Sequence, residues 1–144
     1  MADCAKQTDE TMEPEAMPLG PPTVRTIAMP ADTNPAGDIF GGWLMGLMDL
    51  AAGSAAARCA RGRCATVSVE TINFRAPVKV GDEVTVWAAL LGTGKTSMKI
   101  KVSAWRRAGD GDHTTKVTDA VFIVVALDSD GNPRPVRAPG QLTG

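Results

Sequence analysis

The apolar positions of this chain change their rhythm partway along. Residues 1–22 carry Asp, Glu, Pro, Thr and Lys with no period and no apolar run of the kind found in a secretory leader, so they read as a flexible tail. A short strand is predicted over 24–28, ended by Pro30. The loop Asp32-Thr-Asn-Pro-Ala-Gly-Asp38 is built from turn and cap residues. It leads into one helix over roughly 42–58, where Trp43, Leu44, Leu47, Met48, Ala51 and Ala55 recur at helical spacing. Gly46, Gly53, Ser54 and nearby alanines keep the opposite face of that helix thin.

After the basic turn 58–63 the period falls to two. Residues 64–74 alternate with Val67 and Val69 inward, then with Ile72 and Phe74 on the other parity, which predicts a bulge near Glu70-Thr71. Pro77 and Gly81-Asp82 mark a turn, and 83–91 alternates through Val84, Val86, Ala88 and Leu90. A tight connection at Gly92-Thr-Gly94 joins it to 95–107, where Met98, Ile100, Val102 and Ala104 face in and Lys99, Lys101 and Ser103 face out. The last strand, 115–127, has an apolar core on both parities from Ala120 to Ala126. Both of its faces are therefore expected to be covered, one by the helix and the other by a second subunit.

One long helix followed by an antiparallel sheet is an α+β layout. The 144 residues suit one domain, placed at 23–137, with 138–144 as a loose tail. Such a length supports a core without disulfides. Fifteen Lys and Arg against 16 Asp and Glu leave a net charge of −1, which gives no reason to expect nucleic acid or an anionic membrane as partner. The segment 39–57 has one charge, but its four glycines and its alanines suit a buried helix better than a membrane span. Cys4, Cys59 and Cys64 lack metal-ligand spacing and only His113 could join them, so no metal is expected. Reduced thiols point to the cytoplasm.

Asp49 is that single charge, set between Met48 and Leu50. An isolated carboxylate in an apolar helix has to be paired, neutralised or reached by water. It is either a structural Asp bonded to an arginine or a backbone group, or a carboxylate lining a cleft as base or nucleophile. Gly41-Gly42 stands at the helix start, where bare N–H groups and the helix dipole suit a developing oxyanion. By itself the pair is equally a turn, and Asn34 before Pro35 is equally an Asx-turn residue.

The run from Thr26 through Asn34-Pro-Ala-Gly-Asp-Ile-Phe-Gly-Gly42 to Asp49 resembles the signature of the YciA-like acyl-CoA thioesterases. The likeness continues in Val69-Glu-Thr-Ile-Asn-Phe74, Pro77-Val-Lys-Val-Gly-Asp82, Gly94-Lys-Thr-Ser97 and Thr118-Asp-Ala-Val-Phe122, and covers residues 24–137. The resemblance implies a hotdog fold, a sheet curled around one central helix, with dimers assembling into a hexamer as a trimer of dimers. It implies hydrolysis of acyl-CoA to CoA and a carboxylic acid, with no cofactor beyond the CoA of the substrate. Asp49 would be the catalytic carboxylate, Asn34 would place water or substrate, and Gly41 and Gly42 would supply N–H donors.

Eight residues separate Gly41 from Asp49, about 12 Å along a helix, too far to serve one thioester from one chain. A site shared across a homodimer is the expectation. For the CoA moiety the candidates are Thr66, Ser68, Arg75, Lys95, Thr96 and Ser97. The order Arg75-Ala76-Pro77 departs from the apolar-then-basic order of the family, which puts Arg75 on the opposite strand face. Two alternatives compete. A hydratase or dehydratase of acyl thioesters would use a His and Asp pair, yet His113 sits in a Gly/Asp-rich loop. A non-catalytic acyl-CoA binding protein would have no need for Asn34, Gly41-Gly42 and Asp49 together.

Overall fold

A computed structural model describes residues 16–136. Strand β1 (Val24–Ile27) is followed by a 3-10 turn (Pro30–Asp32) and helix α1 (Gly41–Ala60). Then come β2 (Cys64–Glu70), β3 (Glu83–Thr93), β4 (Ser97–Arg107) and β5 (Thr114–Ala126). The strands form one antiparallel sheet in the order β1-β3-β4-β5-β2, and α1 packs against β2, β3, β4 and β5. This is the α+β hotdog arrangement, with the helix lying across the concave side of the sheet.

Alanine makes the close fit possible. Ala51, Ala52, Ala56 and Ala60 turn into the sheet beside Leu44 and Met48, all almost fully buried. They meet the inward positions of β4 and β5, Met98, Ile100, Val102, Phe122 and Val124. The outer positions Val121, Ile123 and Val125 of β5 stay half-buried, so its second face is open in a single chain. The helix ends at Arg61, in the left-handed region at φ 57°. Arg134 closes that end by donating from Nη2 to Ala60 O at 2.7 Å and from Nε to Leu127 O at 3.1 Å. Gly62 leaves the room, since a Cβ there would stand 2.7 Å from Arg134 Nη2.

The bulge falls three residues before its expected place. Thr66 pairs with Val124 and Ser68 with Ile123, so Val67 is the extra residue, and β2 stops at Glu70 where Thr71 takes φ 26°. Side chains of paired residues share a face, which turns Thr66 and Val69 toward α1. Val67, expected inward, is instead 59% exposed. The β3–β4 turn also moves, with β3 running on to Thr93 and Gly94 N–H donating to Ser97 O. Within the expected N-terminal tail, residues 16–22 lie at the outer face of the sheet, where Trp87 Nε1 donates to Gly20 O. Residues 1–15 and 137–144, which include the expected C-terminal tail, lie outside the described ones.

Candidate functional site

The face of α1 that the sheet does not cover carries Gly42, Met45, Gly46, Asp49 and Leu50. A buried environment for Asp49 was expected from its neighbours in sequence. In one chain it lies on this exposed face, because the helix turns Leu44, Met48, Ala51, Ala52, Ala56 and Ala60 to the other side, into the sheet. No arginine pairs with it among the described residues. Its partner is Thr66, whose Oγ1 donates to Asp49 Oδ1 at 2.6 Å. The second oxygen, Oδ2, has no partner among the described residues, and Asp49 as a whole is exposed.

The start of α1 offers donors. Its N-cap residue is Phe40, which has no capping side chain, and Trp43 N–H bonds to Phe40 O at 3.1 Å. The N–H groups of Gly41 and Gly42 are thus orphan donors of the first turn. Phe74 lies over Gly41, its ring 3.3 Å from where a Cβ would be, and the Phe40 ring stands 3.4 Å from the same point of Gly42. Asn34 holds the loop before the helix as an Asx turn, with Oδ1 accepting from Ala36 N and Asp38 N at 3.0 Å each. Its side-chain amide has no partner among the described residues, so it keeps two donors for a ligand.

The expected CoA residues do not converge in one chain. Thr66 is committed to Asp49, and Ser68 sits on the outer side of β2 opposite Ile123. Arg75 faces Asp119 with 3.8 Å between Nη2 and Oδ1. Lys95, Thr96 and Ser97 form the β3–β4 turn, and their carbonyls accept from Val136 N, Ala126 N and Gly94 N. Ser97 pairs with Val125 and Ser103 with Asp119, so the turn and Arg75 stand six strand residues apart, about 20 Å at 3.3 Å per residue. No group of three or more metal-ligating side chains occurs among the described residues. No helix there is long and apolar enough to cross a membrane. Cys59 and Cys64 are free thiols, and burial pushes the Cys64 thiol up from its ordinary value.

Residues 36–111 match the family model of the thioesterase superfamily. An uncharacterized acyl-CoA thioester hydrolase of Zymomonas mobilis is 50% identical over 124 residues, covering 86% of this chain and 83% of the relative. The acyl-CoA thioester hydrolase YciA of Salmonella typhimurium is 45% identical over 126 residues, with 85% of this chain and 95% of the relative covered. Among solved structures, the hexameric thioesterase y2039 from Yersinia pestis superposes with a TM-score of 0.79 at 43% identity, covering 85% of this chain and 99% of that one.

Proposed function

The chain belongs to the thioesterase superfamily, among the acyl-CoA thioester hydrolases of the YciA kind, and from that premise we propose that it hydrolyses acyl-CoA with Asp49 as the catalytic carboxylate. The observation that carries the assignment is the hydrogen bond from Thr66 to Asp49 Oδ1 on the uncovered face of α1. It fixes the carboxylate and leaves Oδ2 for a water. Oδ2 takes a proton from that water as its oxygen attacks the thioester carbonyl carbon. The carbonyl oxygen becomes an oxyanion, which the N–H groups of Gly41 and Gly42 receive. As the C=O re-forms the C–S bond breaks, and the thiolate of CoA leaves and is protonated. The products are CoA and a carboxylic acid, and no cofactor enters the reaction. Asn34, with its amide donors free, orients the water or the thioester.

Asp49 and Gly41 belong to one helix and lie about 12 Å apart along it. A reacting carbonyl needs both within contact distance at once. The reading therefore takes Gly41 and Gly42 from one subunit and Asp49 from the other, across a two-fold axis. The exposed apolar side chains Met45, Leu50, Val67 and Val69 beside Asp49 support such a contact. In this reading dimers are the working unit, assembled three at a time as a hexamer in the cytoplasm. Arg75, Lys95, Thr96, Ser97 and Ser68 then serve CoA from different subunits. The experiment is a free-thiol assay over several acyl-CoAs with the parent and Asp49→Asn. Absence of thiol release by the parent would refute the activity, and an active Asp49→Asn would refute the residue.

A further inference from the structure

At the start of α1 lies a cavity of about 200 Å³ whose wall includes Gly41, Phe74, Ala76, Ile39, Leu44 and Val117. None of its lining side chains can ionise or form a hydrogen bond. The pantetheine amides and phosphates of CoA would lose hydration there with nothing in exchange. A hydrocarbon chain loses nothing and gains by leaving water. Gly41 is both a wall of this cavity and the first residue of the helix, so a thioester oxygen held by the Gly41 and Gly42 N–H groups places the acyl carbons at its mouth.

We infer that this cavity is the acyl pocket and that Phe74 and Ala76 set how much of the chain it holds. The inference rests on the hydrolase reading above and deepens it. A water-sized group takes roughly 30 Å³, so the cavity holds about six such groups, a short acyl chain. Phe74 covers Gly41 and is half-exposed, so it is a lid over the mouth and not part of the core. Ala76 is half-buried on the wall, where a larger side chain reduces the room without disturbing the fully buried core.

The test is kcat/KM of the full-length enzyme for acetyl-, butyryl-, hexanoyl-, octanoyl-, lauroyl- and palmitoyl-CoA. In the parent the value rises with each added carbon up to about hexanoyl and then stops rising. A value that climbs through palmitoyl-CoA would overturn the assignment. Ala76→Leu lowers kcat/KM for hexanoyl- relative to acetyl-CoA by at least about tenfold, since one methylene in such a pocket is worth about 10-fold or more. Phe74→Ala moves the plateau to longer chains. Both variants are checked for folding by circular dichroism. Folded variants that hydrolyse with the profile of the parent, or that lose all substrates equally, would remove the pocket while leaving Asp49-dependent hydrolysis in place. A parent inactive on every acyl-CoA would instead sink the hydrolase reading itself.

Discussion

Thr66 reaches Asp49 because Val67 is a bulge. The hydroxyl donates to Asp49 Oδ1 at 2.6 Å, and the extra residue in β2 lets both Thr66 and Val69 face the helix from either side of it. Without the bulge, strict alternation would turn Val69 away from the helix and its side chain toward solvent. The carboxylate is thus held by a side chain whose aim depends on one irregularity in an edge strand.

Asp49→Asn is expected to lower kcat by at least about 100-fold, the usual loss when a general base is removed. The amide has nearly the same shape and can still accept from Thr66, so the fold and the binding of CoA persist. Steady-state kinetics on a short acyl-CoA, with calorimetry for CoA, measure both. Retention of a tenth of the parental kcat would end the assignment.

Thr66→Val keeps the shape and removes the donor. A hydrogen bond to a charged group is worth about 1.5–3 kcal/mol, so kcat should fall by roughly 10- to 100-fold. KM should hardly change, because Thr66 touches Asp49 and not CoA in this arrangement. Thr66→Ser should restore most of kcat. A rise in KM with an unchanged kcat would return Thr66 to a role in binding CoA.

Much of this molecule was readable from its residues. The helical period of Leu44, Met48 and Ala51 placed α1 within a few residues of its ends, and the clean alternation from Met98 to Ala104 placed β4 with its buried face correct. The position of the bulge is not legible in the sequence, because any residue can fill one and Val67 looks like an ordinary inward strand residue. The link between Thr66 and Asp49 followed from that bulge and could not precede it. Asp49 looked buried because its sequence neighbours are apolar, but burial on a helix depends on angle and not on adjacency. The candidate CoA residues share chemistry but not position, and the sheet sets them about 20 Å apart, since six residues of β4 lie between the turn and the row of Arg75.

Cys64 should be slow to alkylate. Burial raises its thiol above the ordinary value, with Arg134 opposing and Cys59 adding to the rise. A raised value means less thiolate at any given pH, and thiolate is the reacting form. Peptide mapping after iodoacetamide treatment between about pH 7 and 8 should show Cys64 reacting more slowly than free cysteine. Through linkage, the neutral thiol favours the folded state, and that contribution disappears as pH rises through the raised value. Reaction at the rate of free cysteine would contradict the burial.

Val67→Glu should dissociate the assembly. Val67 is 59% exposed and Leu50 67% exposed in the single chain, apolar surface next to Asp49 that a partner subunit would cover. A carboxylate there loses hydration when a partner covers this apolar surface, which opposes the contact. Sedimentation equilibrium at micromolar concentration should show the parent above 15.0 kDa and the variant shifted toward it. Activity should fall along with assembly. A parent that is active as a monomer would contradict both the interface and the shared site.

Mixing two dead variants gives the sharpest test of that shared site. Asp49→Asn removes the carboxylate, and Gly42→Leu places a bulky side chain over the proposed oxyanion donors. Within one chain a Cβ at Gly42 meets only the exposed Phe40 ring, so the subunit fold accommodates it, and tandem purification checks that the assembly persists. If each site takes its glycines from one subunit and its carboxylate from another, random mixing in equal amounts leaves about a quarter of all sites intact. This fraction is the same in a dimer and in a trimer of dimers, because each site still samples two chains. If both groups come from one chain, no site is intact at any ratio. The two variants are co-expressed with different tags, mixing is confirmed by tandem purification of one portion, and thiol release is measured per site on the unfractionated mixture. Recovery near a quarter of the parental rate supports the shared arrangement. No recovery from a mixed and folded assembly would bring Gly42 and Asp49 back into one subunit and overturn the two-fold geometry.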